Sequence, residues 1–123
     1  MFLGINLKKM MQSFKFAFCG IKIIFEKEQV FKAMLFIAIL VIIAMFYFNL
    51  PLIQKIILFT LIVFVLMLEL VNSTIERVLD FICPQINPRV KEIKDMLAGL
   101  VLISCIGSII IGILIFLPYL PIK

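Results

Sequence analysis

The sequence predicts an all-α membrane protein, with three transmembrane helices and an N-terminal amphipathic surface helix. Two observations support this prediction: an excess of apolar residues and their concentration in three long segments. The chain has 123 residues, of which 65% are hydrophobic, and its mean hydropathy is +1.29, whereas soluble domains are about 45–50% apolar. A chain of this length has too little interior to bury that surface in a core of its own. We therefore expect one domain over residues 1–123, with its apolar excess facing lipid.

The three apolar segments predict transmembrane helices over residues 31–50, 52–70 and 96–118. No side chain is charged from residue 33 to 50 or from 96 to 120, and only Lys55 is charged from 51 to 68. Each segment approaches or exceeds the roughly 20 residues that a helix needs to cross about 30 Å of hydrocarbon. The turn at Asn49-Leu50-Pro51 predicts that the first two spans form an antiparallel pair.

Residues 7–28 predict a helix that lies on the membrane surface. At about 100° per residue, the apolar side chains of residues 7–25 gather on one side of this helix and the lysines on the other. Phe16 and Ile23 fall outside the pattern. A helix of this type binds the bilayer interface through its apolar face, with its lysines near anionic headgroups.

The distribution of basic residues predicts the orientation in the membrane. Of the 12 Lys and Arg residues, six precede residue 33, where the uncharged part of the first span begins, and four lie in segment 71–95, whereas only Lys55 and Lys123 lie on the opposite side. The positive-inside rule then places the N-terminus and segment 71–95 in the cytoplasm and the C-terminus outside. Topology thus accounts for the net charge of +5, and no nucleic-acid partner is expected.

A polar stripe extends the second span beyond its apolar run. On a helical wheel, four polar residues fall within about 80° of one another: Glu69, Asn72, Glu76 and Asp80. Glu69 directly follows the apolar run, so it sits at the edge of the hydrocarbon, where a carboxylate is costly and usually functional. Asp80, farther along, is equally well explained as part of a solvated face.

Acids and a lysine from three segments meet at the same cytoplasmic level. Glu69 and Glu76, with Asn72 between them, offer the hard oxygen ligands that Mg²⁺ favours. Glu28 precedes the first span and Lys94-Asp95 precedes the third, both on the cytoplasmic side. Phosphoryl transfer needs metal ligands, a cation for phosphate oxygens and a carboxylate near the attacking hydroxyl. The segment ends supply all three.

These motifs resemble those of the prokaryotic diacylglycerol kinase family, small membrane enzymes with three spans. The segment from Glu69 to Asp80 is similar to the family's E-x-x-N-[ST]-A-I-E-x-x-x-D, with Thr74 in place of alanine. Lys94-Asp95 resembles its second signature, and Glu28-Gln-Val-Phe-Lys resembles its E-x-x-F-R element. Asp95 is followed by Met-Leu-Ala-Gly, which mixes features of the diacylglycerol and undecaprenol branches.

The resemblance implies a kinase that uses ATP and Mg²⁺ to phosphorylate a membrane lipid alcohol. It implies a homotrimer in the bilayer of the bacterial inner membrane, with active sites shared between neighbouring subunits. Glu69 would be the catalytic base, and Asn72 would orient the reacting groups. The resemblance assigns six residues to the nucleotide and its metal: Glu28 and Glu76 through Mg²⁺, Lys94 and Asp95 through the nucleotide itself, Lys9 near both substrates and Asn87 near the adenine.

The sequence is compatible with several functions. Diacylglycerol, giving phosphatidic acid, is the expected acceptor, and undecaprenol is the alternative within the family. A small proton- or cation-coupled transporter is the alternative from a different class, with Glu69 as its ion site. The acids cluster at one surface rather than at the midplane, where transport sites usually lie, so the kinase is favoured. A non-catalytic membrane subunit would give the interfacial acids no purpose.

Overall fold

The computed structural model describes residues 4–121, and every regular element in that range is helical. Its four α-helices are α1 (Leu7–Lys27), α2 (Gln29–Tyr47), α3 (Leu52–Ile82) and α4 (Pro88–Phe116), and a short 3₁₀ helix, Leu117–Tyr119, follows α4. Within the described range, α2, α3 and the continuous helical stretch from α4 into the 3₁₀ helix are long and apolar enough to cross a membrane. The all-α membrane fold predicted from the sequence is thereby confirmed.

Two compact units make up the chain, one ending at Ala33 and the other beginning at Met34. In the first unit, α1 is an amphipathic helix with no buried residue. Even Phe14, in the middle of its apolar face, is 63% exposed. A bilayer interface would cover an apolar face of this kind, as it does for other surface helices.

The two ends of α1 are set by side-chain and backbone contacts. Asn6 caps its start, because the Asn6 side-chain oxygen accepts a hydrogen bond from the backbone N–H of Lys9 at 3.2 Å. Its end comes at Glu28, whose extended backbone (φ −97°, ψ 95°) separates it from α2. The rings of Phe25 and Phe31 pack edge to face across this break, with centroids 5.9 Å apart. This aromatic pair stabilises the corner between the two helices.

In the second unit, α2 and α3 are joined by a tight turn. Asn49 adopts a left-handed conformation with φ +51°, which asparagine tolerates better than most residues. The Leu50 N–H donates to the Met45 carbonyl at 3.2 Å, and Pro51 caps the start of α3. Met45, Leu50 and Leu58 then form a buried apolar cluster, which holds the two helices together at the turn.

The end of α4 packs on the same cluster. The rings of Phe48 and Phe116 lie 6.1 Å apart, and Tyr119 donates its hydroxyl to Oε1 of Gln54 at 3.4 Å. The two helices α3 and α4 also pack against each other. These contacts bring α4 alongside α3 and its end against the turn between α2 and α3.

An apolar cavity of about 470 Å³ lies among α2, α3 and α4. Its wall includes Ala38 from α2, Leu66 from α3 and the small residues Ser108 and Gly112 from α4. A Cβ placed on Gly112 would meet no atom of the described residues within 4 Å. The cavity therefore borders the apolar part of α3. Its lining residue Leu66 precedes Glu69 by three residues in the sequence.

The length of α3 positions the polar stripe relative to the membrane. Its 31 residues span about 46 Å at about 1.5 Å per residue, against about 30 Å of hydrocarbon. Counted from Leu52, about 20 residues cross the hydrocarbon. Glu69 then lies near the far boundary, and Glu76 and Asp80 lie beyond it.

Candidate active site

Glu69 is a buried carboxylate at the end of the apolar part of α3. Its exposed fraction is only 6%. Ser73, one turn further along the helix, donates its hydroxyl to Oε1 of Glu69 at 3.4 Å. A carboxylate held away from water beside lipid is costly, and residues of this kind usually have a function.

Asn72 is the second buried polar residue of this face, with an exposed fraction of 8%. Its side-chain oxygen Oδ1 is buried and has no hydrogen-bond partner among the described residues. An unsatisfied buried acceptor costs about 1–3 kcal/mol. Three residues apart on one helix, Glu69 and Asn72 share a face. This oxygen is therefore able to accept a hydrogen bond from a donor that binds beside Glu69.

Lys94 connects the polar stripe of α3 to α4. Its ammonium group donates a hydrogen bond to Oδ1 of Asp80, 14 residues away in sequence. This hydrogen bond raises the pKa of Lys94 above its ordinary value, the charges of Asp80 and Glu76 add to the effect, and desolvation opposes it. Lys94 precedes the apolar segment that begins at residue 96 and carries a positive charge at neutral pH. The partnership with Asp80 was not predicted from the sequence.

Two other predicted nucleotide contacts have local partners on α4. Asp95 pairs with Lys91, one turn earlier, at 2.7 Å. Asn87 caps the start of α4, because its side-chain oxygen accepts a hydrogen bond from the backbone N–H of Arg89 at 2.8 Å. The amide nitrogen of Asn87 and one lone pair of its oxygen are then left to meet an adenine ring. An asparagine directly before Pro88 is a sequence signal for such a cap.

The remaining two predicted site residues lie in the first unit. Lys9 is exposed in the first turn of α1, and Glu28 is half-buried at the break between α1 and α2. The other six are in the second unit, where Lys94 links α4 to the polar stripe of α3. Among residues 4–121, no three His, Cys, Asp or Glu side chains form a group that could hold a metal ion. Mg²⁺ usually takes only one or two protein carboxylates, so such a group is not required for Glu28 and Glu76 to bind it, and this pair of ligands stays a prediction.

Comparison with known proteins gives a family match and similar relatives. Residues 15–116 match the prokaryotic diacylglycerol kinase family. The undecaprenol kinase of Bacillus subtilis is 38% identical over 115 residues, which are 94% of this chain and 94% of that protein. The diacylglycerol kinase of a Synechocystis species is 32% identical over 107 residues, which are 86% of this chain and 61% of that protein. No solved structure matches the chain.

The family match covers most of the chain, including all of α2, α3 and α4. It also includes the buried pair Glu69 and Asn72 and the lysine that joins α4 to α3. Taken together with both relatives, it shows that this membrane protein belongs to the prokaryotic diacylglycerol kinase family, a family of lipid kinases.

Proposed function

We propose that this protein transfers the γ-phosphoryl group of ATP directly to the hydroxyl of a membrane lipid alcohol, at the cytoplasmic edge of the bilayer. The observation that carries the proposal is the buried carboxylate Glu69 on the same face as the amide oxygen of Asn72, which has no hydrogen-bond partner within residues 4–121. A lipid alcohol keeps its hydroxyl at the membrane boundary and its tail in the hydrocarbon. A base for that hydroxyl must therefore lie at the depth of Glu69.

The chemical step needs a base, an oriented acceptor and a stabilised phosphoryl group. Glu69 takes the proton of the lipid hydroxyl as the oxygen of that hydroxyl forms a bond to the γ-phosphorus. The bond from that phosphorus to the bridging oxygen breaks, and ADP leaves. Asn72 orients the reacting groups from one turn along the same face of α3. Ser73 keeps the Glu69 carboxylate in place through its hydrogen bond.

The donor set of this region fits Mg²⁺. It consists of oxygen atoms only, from carboxylates and from the buried amide oxygen of Asn72, which lacks a partner among the described residues. Hard oxygen ligands in small number, completed by nucleotide phosphates, are typical of Mg²⁺ sites in kinases. Glu28 and Glu76 would hold the ion, and when bound it neutralises charge on the phosphates of ATP.

We propose nucleotide contacts for four further residues. Lys94 would bind phosphate oxygens and Asp95 the nucleotide, while Lys9 would lie near both substrates and Asn87 near the adenine. We further propose a homotrimer with active sites shared between neighbouring subunits.

For the acceptor we propose undecaprenol ahead of diacylglycerol, which reverses the preference expected from the sequence. The support is the undecaprenol kinase of Bacillus subtilis, which is 38% identical and aligns over nearly the full length of both chains. The relative described as a diacylglycerol kinase is 32% identical, and this chain spans 61% of its length. Apolar space beside α3, about 470 Å³ in volume, is suited to hydrocarbon of either acceptor.

An acceptor assay tests both the reaction class and the specificity. The purified protein in detergent micelles should release ADP only when a lipid alcohol is present, and kcat/KM should be higher with undecaprenol than with dioleoylglycerol. Chromatography of labelled lipid identifies the product. A preference for dioleoylglycerol would refute the proposed specificity and leave the kinase. ATP consumption independent of either alcohol would refute the kinase.

Replacing Lys94 by alanine should raise the KM for ATP by about tenfold, because a charge-assisted contact to phosphate is lost. The KM for the lipid alcohol should stay the same. Steady-state kinetics at saturating acceptor measures the effect. Arg89→Ala, which removes another exposed cation from the start of α4, is the matched control and should leave both constants unchanged. An unchanged KM for ATP in Lys94→Ala would exclude the phosphate contact.

The proposed orientation places Glu28, Glu76 and the ATP pool on the cytoplasmic side, with Lys123 outside. Single cysteines in a variant otherwise free of cysteine, treated in intact cells with a membrane-impermeant thiol reagent, test this arrangement. Lys123→Cys should react, whereas Gln12→Cys and Lys91→Cys should react only after the membrane is opened. Labelling of Lys91→Cys in sealed cells would place the acids away from ATP and contradict the proposed function.

A further inference from the structure

We propose that Asp80 is a positioning residue, which holds the ammonium group of Lys94 beside Glu76, ready for the phosphates of ATP. This inference rests on the proposed function and adds a role for a residue that was assigned none. Asp80 lies at the far end of the polar stripe, beyond the hydrocarbon. It is exposed and does not itself need to touch substrate.

The contact that carries the inference runs between two helices. Asp80 on α3 accepts a hydrogen bond from Lys94 on α4. Glu76 lies one turn before Asp80 on the same face, close enough for its charge to act on the same lysine. Lys94 is thus held at the stripe rather than free to extend into water, and its side chain is only 33% exposed.

A lysine needs such a partner more than an arginine would. Its ammonium group sits on a flexible stem of four carbons and carries three N–H donors. One donor is used by Asp80, which leaves two for phosphate oxygens. Without Asp80, ATP binding would have to order a freely rotating side chain, and ordering a side chain of this type weakens binding by about two- to tenfold.

Stabilisation of the fold poorly explains the ion pair between Asp80 and Lys94. The Asp80 side chain is 64% exposed, and exposed ion pairs contribute little to folding. The neighbouring pair Lys91 and Asp95 lies within one helix and therefore fixes nothing on α4 relative to α3. Only the pair of Asp80 and Lys94 places a cation of α4 against the acids of α3 among the described residues.

The test measures ATP dependence at saturating lipid alcohol for wild type, Asp80→Ala and Asp80→Asn. Asp80→Ala should raise the KM for ATP by about two- to tenfold, with kcat and the KM for the acceptor within about twofold of wild type. Asp80→Asn should have a smaller effect, because its amide oxygen still accepts from Lys94. Glu92→Ala removes the same charge from an exposed position on α4 and should change nothing. An unchanged KM in Asp80→Ala would overturn the inference.

A double-mutant cycle separates positioning from a direct role. If Asp80 acts through Lys94, then Asp80→Ala should have no further effect on the KM for ATP in a Lys94→Ala background. The same fold-increase in both backgrounds would overturn the inference, since Asp80 would then act on its own. Thermal unfolding midpoints of all variants, measured in detergent, should agree within a few degrees.

Binding of a non-hydrolysable ATP analogue with Mg²⁺, measured alongside turnover, separates this inference from the proposed function. Binding that weakens in Asp80→Ala, in a protein that phosphorylates no lipid alcohol, would refute the kinase and keep the positioning role. Turnover with equal binding by wild type and Asp80→Ala would refute only the positioning role. Absence of binding by the wild type would refute both.

Discussion

Replacing Glu69 by glutamine should lower kcat by about 10²–10⁴-fold, because the lipid hydroxyl loses its general base. Glutamine has nearly the same size, and its amide oxygen still accepts the hydrogen bond that Ser73 donates to Glu69. The change also removes a charge from a position that is 6% exposed, which favours folding beside lipid. The large loss of turnover should therefore come with a folded protein.

Single-turnover kinetics at saturating ATP and acceptor measure this loss without a contribution from binding. Glu92→Gln makes the same chemical change at an exposed position of α4 and should keep normal turnover. Thermal unfolding and elution in size-exclusion chromatography should be the same for both variants and wild type. Near-normal turnover in Glu69→Gln would show that another group takes the proton.

The membrane fold follows from the sequence because lipid solvates apolar side chains wherever they lie along a helix. Each span can therefore be read from its own composition and length, without knowledge of its neighbours. The polar face of α3 is local in the same sense. The period of 3.6 residues already places Glu69 and Asn72 on one side, and the structure adds that both are buried.

Contacts between helices do not follow from the pattern of either helix alone. The hydrogen bond from Lys94 to Asp80 depends on how α4 is rotated against α3, and a helical wheel leaves that rotation open. From the sequence alone, Asp80 was therefore interpreted equally well as a solvated acid. The cap made by Asn87 is different, since the signal was local. An asparagine before Pro88 predicts a helix start, whereas the sequence interpretation assigned that side chain to adenine alone.

The predicted roles of the eight site residues differ in how much local structure supports them. Glu69 and Asn72 are distinguished by burial, and Asn72 also by a side-chain oxygen without a partner in the part of the chain that the structure describes. Lys94 is distinguished by its hydrogen bond to Asp80 on α3. Glu28 is distinguished by the backbone, because it is the single residue that separates α1 from α2. The proposed magnesium site depends on Glu28 and Glu76 together.

Glu76→Gln and Glu28→Gln should each lower turnover by about 10–100-fold at limiting Mg²⁺. Turnover should partly recover as Mg²⁺ is raised. Loss of a group that merely orients a metal ligand already costs about 10–100-fold in affinity or activity, so the loss of a carboxylate ligand should cost at least as much. Glutamine keeps a neutral oxygen, which still coordinates weakly. Excess metal should therefore restore part of the activity, whereas it should restore none in Glu69→Gln.

The measurement is a Mg²⁺ titration of turnover at fixed ATP, with wild type, Glu28→Gln, Glu76→Gln and Glu92→Gln compared side by side. The Glu28 and Glu76 variants should reach half-maximal activity at higher Mg²⁺ than wild type, and Glu92→Gln should follow the wild-type curve. A shift for Glu76→Gln alone would remove Glu28 from the site and leave the metal held by α3. Titration curves that coincide for all four proteins would mean that neither carboxylate binds the metal, since a lost ligand must change the metal requirement.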